Sequence, residues 1–128
     1  MLAVCGIVRK NGRILMCKRS AGVPFSGYWE LPTEGLDGDE TLEDALDRVF
    51  FERLTVKPEQ VEPLGAVDCG QVKGEANGEN VRLMGYEVKL EKNFIHIYGY
   101  DDFRWVKPSN LKRMRVLPPH VILLTRKT

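Results

Sequence analysis

The stretch that decides the fold runs from Trp29 to Val56 and reads WELPTEGLDGDETLEDALDRVFFERLTV. Its first half is rich in Gly and acidic residues, as is typical of a loop. Its second half repeats apolar residues at helical spacing, so that one stripe can face a core; these are Leu42, Ala45, Leu46, Val49, Phe50 and Leu54. Thr41 can cap the first helical turn, with Asp44 three positions later. The stretch therefore predicts a loop and then a helix that ends around Leu54–Val56.

Strand patterns lie on both sides of this loop and helix. Before it, the apolar run Leu2–Val8 and the segment Arg13–Cys17 flank an Asn11-Gly12 pair, which is typical of a tight hairpin. After it come three strand candidates, Val61–Cys69, Val81–Leu90 and Phe103–Val106. A polar Gly-bearing loop at residues 71–80 separates the first two. A short helical turn at Asn110–Met114 and a final helix after Pro118 complete the chain. The order indicates an α/β or α+β protein with a mixed sheet between helices.

Composition narrows the class of protein. The chain has 128 residues, enough for one domain with a real core. A net charge of +1 argues against strong non-specific binding to nucleic acid. No segment approaches the ~18 apolar residues of a membrane span, and the N-terminal residues do not form a signal peptide. Cys5, Cys17 and Cys69 are odd in number and widely spaced, which suits free thiols in the cytoplasm.

The stretch also resembles the Nudix box, the signature of the MutT-like pyrophosphohydrolases. The family's pattern reads Gly, five residues, Glu, seven residues, Arg-Glu, an apolar residue, any residue, Glu-Glu, any residue, Gly and an apolar residue. Without a gap, this chain keeps the first Glu as Glu40, the Arg as Arg48 and one Glu of the later pair as Glu52. The closing apolar residue is Val56.

Four positions of the box depart from the family's pattern. Glu34 stands at the opening Gly and Thr55 at the closing Gly. Val49 replaces the Glu that follows the Arg, and Arg53 replaces the second Glu of the pair. The box, at about residues 34–56, is therefore degenerate in the acids that carry the family's chemistry.

The resemblance extends over nearly the whole chain. Trp29-Glu30-Leu31-Pro32 is similar to the family's lead-in to the box, and Lys18-Arg19-Ser20 to its basic pair before the first loop. Residues 103–108 are similar to its late Trp-bearing strand, and Leu117-Pro118-Pro119 to the entry of its last helix. The resemblance implies a single Nudix domain over residues 1–128, with a mixed β-sheet sandwiched between helices and a loop–helix–loop box.

Nudix enzymes cleave nucleoside diphosphate derivatives with Mg²⁺ or Mn²⁺, metals that prefer oxygen ligands. The family supplies carboxylates from one helix face at i, i+3 and i+4, which here are Val49, Glu52 and Arg53. Only Glu52 offers a carboxylate. Arg53 brings a positive charge, and two like charges ~4 Å apart repel by ~4 kcal/mol at an effective dielectric of about 20. The resemblance thus implies weak or atypical hydrolysis, with Mg²⁺ or Mn²⁺ as cofactor if the chain is active and otherwise none.

The resemblance assigns site residues by position. Glu52 and Glu40 are the candidate catalytic acids, although Glu40 and Arg48 can also form an ion pair that ties the loop to the helix. Asp101 and Asp102 are candidate metal ligands beside Glu52, or a turn-forming pair. The candidates for substrate binding are Lys18, Arg19, Arg53, Trp29 and His120.

Two of these binding candidates have a plainer interpretation. Trp29 can belong to the core. Arg53 can pair on the surface with Glu52 or with the Asp101–Asp102 pair, or its guanidinium can replace the metal by forking onto phosphate oxygens.

Three functions stay open at this stage. The chain can be a weak pyrophosphohydrolase, a protein that binds a nucleotide or another diphosphate-containing small molecule without cleaving it, or a scaffold for protein contacts. The apolar C-terminal segment is expected to pack on the domain or on the second subunit of a homodimer.

Overall fold

The computed structural model of the chain describes residues 2–71, 80–94 and 96–126. The strands are β1 (Leu2–Lys10), β2 (Arg13–Lys18), β3 (Trp29–Glu30), β4 (Thr33–Gly35), β5 (Pro58–Gln71), β6 (Asn80–Leu90) and β7 (Asp102–Val106). The helices are α1 (Leu42–Leu54) and α2 (Pro118–Thr125), with a 3-10 helix at Pro108–Arg113. Most of the loop predicted at residues 71–80 lies outside the described residues.

The strands form the predicted mixed sheet, in the order β3-β2-β1-β6-β5. β1 and β6 run parallel, and the other paired strands run antiparallel. One edge of β1 is shared between two partners, because β4 pairs with Ala3–Cys5 and β2 pairs with Arg9–Lys10. The segment from Trp29 to Gly35 therefore crosses from β2 to β1. This split in the sheet brings the box loop between two strands.

Alternation along β1 builds a core on each face of the sheet. Val4 and Val8 pack in one buried cluster with residues of α1, including Phe50. Cys5 and Ile7 pack in a second cluster with Leu123 of α2. The two helices thus cover opposite faces, as the sequence predicted. Neither α1 nor α2, nor any other helix of the described chain, is long and apolar enough to cross a membrane.

The box helix begins and ends close to the predicted residues. The hydroxyl of Thr41 accepts a hydrogen bond of 3.1 Å from the backbone N–H of Asp44, as expected of an N-cap. At the other end Thr55 adopts a left-handed conformation, with φ of 57°; its N–H donates to the carbonyl of Phe51 at 3.0 Å, and the N–H of Val56 donates to that of Phe50 at 3.4 Å. This conformation favours Gly, so Thr55 retains the turn of the family's glycine with a strained backbone.

The segment between β6 and β7 is irregular. Its described residues from 94 to 100, which leave out 95, form bends and irregular backbone. Arg53 explains part of this, because its carbonyl accepts the N–H of Tyr98 at 2.7 Å and its side chain bonds the carbonyl of Tyr98 at 3.3 Å. The N–H and the carbonyl of Tyr98 therefore bond to α1 and do not pair with a neighbouring strand.

Candidate functional site

A polar cavity of about 260 Å³ lies where the box loop, α1 and the segment before β7 meet. Two cationic and two anionic side chains line it, together with an aromatic ring and backbone groups; the charged residues are Arg19, Glu30, Glu34 and Arg53. The split in the sheet places the two glutamates here, one on β3 and the other on β4. The cavity therefore combines the box with the basic residue that precedes the first loop.

An ion pair occupies the part of the cavity nearest α1. Nη2 of Arg53 donates to Glu34 Oε2 at 2.9 Å, and both side chains are largely buried. The guanidinium also lies 4.8 Å from the ring centroid of Tyr100. Neither Glu52 nor the Asp101–Asp102 pair is the partner of Arg53, so that interpretation of Arg53 is wrong. Glu34, at the position of the family's opening Gly, pairs with Arg53, at the position of the second Glu of the family's Glu pair.

One nitrogen of the Arg53 guanidinium, Nε, is buried and has no hydrogen-bond acceptor among the described residues. A buried donor without an acceptor is costly. The contacts of Arg53 with Glu34, Tyr98 and Tyr100 hold the side chain in place against this cost.

Gly99 lets Arg53 reach this position. Gly99 has φ of 80°, and a Cβ at this residue would overlap Nη1 of Arg53. We expect Gly99→Ala to destabilise the fold by about 1–3 kcal/mol, because both the backbone strain and the clash oppose it. Urea denaturation measures the change.

Gly22 is the matched control for Gly99→Ala. Its φ is 88° and a Cβ there would meet nothing within 4 Å. Gly22→Ala should therefore show only the backbone penalty. Equal losses of stability in the two variants would contradict close packing of Arg53 against Gly99.

A second network fixes the other end of the cavity. Glu30 is 3% exposed, and its two carboxylate oxygens accept hydrogen bonds of 2.7 Å from Arg19 Nη1 and from the Tyr100 hydroxyl. That hydroxyl in turn accepts the N–H of Thr33 at 3.1 Å. Burial raises the pKa of Glu30, against the opposing effect of Arg19. Burial and Glu30 also raise the pKa of Tyr100, so the phenol stays protonated as a donor.

The predicted tie between Glu40 and Arg48 is present. Arg48 Nε donates to Glu40 Oε2 at 2.8 Å, and Nη2 donates to the carbonyl of Gly35 at 2.7 Å. Glu40 also accepts the N–H of Asp37, and these hydrogen bonds from Arg48 and Asp37 lower the pKa of Glu40. In this arrangement Glu40 holds the loop on the helix.

The acids around the box do not fit a divalent metal. Val49 is completely buried, and Glu52 is half exposed with Oε2 3.8 Å from Arg48. Asp101 accepts the N–H of Ala21, while Asp102 accepts the N–H of Phe103. Residues 2–71, 80–94 and 96–126 contain no group of three or more His, Cys, Asp or Glu side chains that could hold a metal. Carboxylates that are already paired with Arg48 and Arg53 are a poor Mg²⁺ ligand set.

A second cavity, of about 410 Å³, adjoins the first at Thr33, which lines both. Its walls are mainly apolar and come from β1, β5, β6, α2 and the first loop; they include Phe25, Val67, Leu83 and Ile122. His120 of α2 also lines it and is 4% exposed. The two neighbouring cavities could therefore accommodate the apolar and the charged halves of one small molecule.

The substrate-binding candidates separate in the structure. Arg19 and Arg53 line the polar cavity, and His120 lines the apolar one. Trp29 lies in the core at 8% exposure, with Arg104 over its ring, and Lys18 ends β2 without lining either cavity. Sequence reasoning missed Glu34, Gly99 and Tyr100 as site residues, although the opposite charges introduced at Glu34 and Arg53 were a visible signal.

Comparison with known proteins places these cavities in a known fold. The family model described as NUDIX domain matches residues 1–125. A protein named nucleoside triphosphatase NudI from Enterobacter sp. (strain 638) is 39% identical over 120 residues, covering 87% of this chain and 84% of that protein. A protein of the same name from Escherichia fergusonii is 31% identical over 117 residues, covering 84% and 82%.

Solved structures agree with this match. The crystal structure of a MutT NUDIX hydrolase from Burkholderia pseudomallei superposes with a TM-score of 0.84 at 25% identity, over 99% of this chain and 97% of that one. The NUDIX domain of Shewanella oneidensis NrtR, in complex with ADP ribose, superposes with a TM-score of 0.76 at 24% identity, over 98% and 84%. The predicted fold and family resemblance are confirmed.

Proposed function

The chain belongs to the Nudix family, and from this premise we propose that it binds a nucleoside phosphate without using a divalent metal. The phosphate lies in the polar cavity beside Arg53 and Arg19, and the base lies in the apolar cavity. The observation that carries the proposal is the Glu34–Arg53 ion pair of 2.9 Å, formed by two residues that depart from the family's pattern. A fixed guanidinium then takes the role of a bound cation.

The chemistry of the polar cavity supports an anionic ligand. Arg19 and Arg53 bring two guanidinium groups to this cavity, and a guanidinium pairs well with phosphate oxygens. A phosphate would compete with Glu34 for the same guanidinium. Glu30 is already paired with Arg19 at 2.7 Å, so its negative charge is compensated before a phosphate enters.

The relatives support the class of ligand. Two relatives that match most of this chain are named nucleoside triphosphatases, and one structural neighbour is complexed with ADP ribose. Both ligands combine a base-bearing sugar with phosphate. The apolar cavity suits the base and the polar cavity suits the phosphate, and the two adjoin at Thr33.

A thermal-shift panel tests this proposal. Nucleoside triphosphates, nucleoside diphosphates and ADP ribose would be added in the presence of EDTA. A ligand at ~100 times its Kd stabilises the folded state by about 2.7 kcal/mol, which raises Tm by several degrees. No shift with any of these ligands, with or without Mg²⁺, would overturn the proposal and favour a scaffold.

Weak hydrolysis is the second candidate, and Glu52 is the observation that favours it. Its carboxylate is half exposed on the box helix and can accept a proton from water. Chromatography of products after long incubation with stoichiometric protein, in Mg²⁺ and in Mn²⁺, distinguishes the candidates. Hydrolysis that disappears in Glu52→Gln would establish a weak hydrolase. Intact nucleotide that still binds would support binding alone.

A further inference from the structure

A third cavity, of about 390 Å³, lies between α1 and the strands β5 and β6. Three carboxylates line it, from Glu43 and Asp47 of α1 and from Glu59 of β5, and no cationic side chain of the described chain joins them. The cavity shares no lining residue with the two cavities of the proposed site. Nucleotide binding therefore does not account for it.

The three carboxylates are unpaired. Glu43, Asp47 and Glu59 are exposed, and none of them forms an ion pair or a side-chain hydrogen bond within residues 2–71, 80–94 and 96–126. Glu43 lies in the first turn of α1, where the helix dipole favours an acid. That effect does not account for Asp47, one turn later, or for Glu59, and like charges one turn apart on a helix repel. A cationic ligand would relieve this repulsion.

Tyr86 is a second and independent sign of a ligand in this cavity. It is only 8% exposed and packs in the same core cluster as Leu46. Its hydroxyl has no hydrogen-bond partner in the described chain, and it is not one of the fully enclosed atoms that lack a partner. Because the residue lines the cavity, its oxygen is open to that space. A buried tyrosine usually has a hydrogen-bond partner, so this hydroxyl indicates where a ligand group binds.

The phenol of Tyr86 presents a neutral acceptor beside the carboxylates. Burial, and to a lesser degree the charge of Glu43, raise the pKa of Tyr86, so the hydroxyl stays protonated near pH 7. Its oxygen can accept a hydrogen bond from an ammonium group, while the carboxylates supply the compensating charge. The walls between these groups are apolar and include Leu46 and Val61.

We propose that this cavity binds a linear polyamine, an alkyl chain with two or more ammonium groups, and that the Tyr86 hydroxyl accepts a hydrogen bond from one of them. A compact divalent cation fits less well, because the described residues contain no group of three acids arranged to hold a metal. Ammonium groups separated by methylenes can reach carboxylates that lie apart. The methylenes then cover the apolar walls, as the stem of a lysine does.

Titration calorimetry with spermidine at low ionic strength tests the proposal, since salt screens exposed charges. Glu43→Gln combined with Asp47→Asn should weaken binding about tenfold or more, because two of the three carboxylates lose their charge. The matched control combines Asp39→Asn with Asp44→Asn. It removes the same charge, again with one acid from the first turn of α1, but neither residue lines the cavity. Equal weakening in the two double variants would overturn the proposal, because binding would then follow net charge alone.

Tyr86→Phe tests the hydroxyl separately from the ring. We expect spermidine affinity to fall about fivefold while Tm stays within about a degree, because the hydroxyl has no partner in the described chain to lose. An unchanged affinity in this variant would contradict the assigned contact and overturn the proposal.

Two further titrants identify the class of ligand. Mg²⁺ represents a compact cation, and capped trilysine carries the charge of spermidine on a peptide backbone. Spermidine should bind more tightly than either. Tighter binding of Mg²⁺ would indicate a metal site, and tighter binding of trilysine a lysine-rich segment of a partner protein; either result would overturn the polyamine. These titrations contain no nucleotide, so their outcome is independent of the proposed function.

Discussion

Val49→Glu is expected to destabilise the fold by about 3–5 kcal/mol, since it buries a carboxylate without a partner. Val49 has no exposed surface and packs in the same cluster as Leu46, Phe50 and Val4. The new carboxylate must therefore displace core atoms or become neutral. Urea denaturation at pH 7, together with the Tm, measures the loss.

Val49→Thr is the matched control, because it keeps the shape of the side chain and adds a single hydroxyl. Its cost should be about 1–3 kcal/mol, below that of Val49→Glu. If Val49→Glu lost less than about 1 kcal/mol, the position would face a solvated space, and Val49→Glu with Arg53→Glu could rebuild the metal site. The expected large loss means that adding Val49→Glu and Arg53→Glu together does not restore a metal site.

Arg53→Glu is expected to cost about 2–3 kcal/mol of unfolding free energy. It removes the ion pair with Glu34, the hydrogen bond to the Tyr98 carbonyl and the contact with the Tyr100 ring. It also places two carboxylates together, with Arg48 4.0 Å from Glu34 as the nearest remaining cation described. Partial exposure of Arg53, at 20%, keeps the estimate below that for a fully buried charge.

A second substitution separates the new repulsion from the loss of the ion pair. Adding Glu34→Gln to Arg53→Glu removes the repulsion and should recover about 1 kcal/mol. Asp47→Ala, an exposed site on the same helix, should change stability by less than about 0.5 kcal/mol. An Arg53→Glu loss no larger than that of Asp47→Ala would show that the guanidinium does not hold this end of the cavity.

The sequence was sufficient for the elements that local chemistry determines. The cap at Thr41 and the apolar stripe of α1 depend on residues within a few positions of one another, and both are confirmed. β3 and β4 were missed because they have only two and three residues, too few for a periodic pattern. Their positions depend on tertiary pairing, because one edge of β1 pairs with β4 at Ala3–Cys5 and with β2 at Arg9–Lys10.

The candidate site could be predicted only in part. Arg19, Arg53 and His120 were identified as binding candidates by position, and the structure brings them to two adjoining cavities. The partner of Arg53 lies 19 residues away in sequence, and the backbone N–H of Leu31 that donates to His120 Nδ1 lies 89 residues away. Such contacts depend on how the strands meet, which no local pattern records.

The most direct test of the central claim compares the affinity for one nucleotide with and without metal. Inosine triphosphate would be titrated into the native protein in EDTA and again in excess Mg²⁺. If Arg53 has replaced the metal, the metal-free nucleotide should bind at least as tightly, because Mg²⁺ lowers the charge of the phosphates and the carboxylates described near Arg53 are already paired with arginines. Binding that requires Mg²⁺ would contradict the account and show that other acids hold a metal.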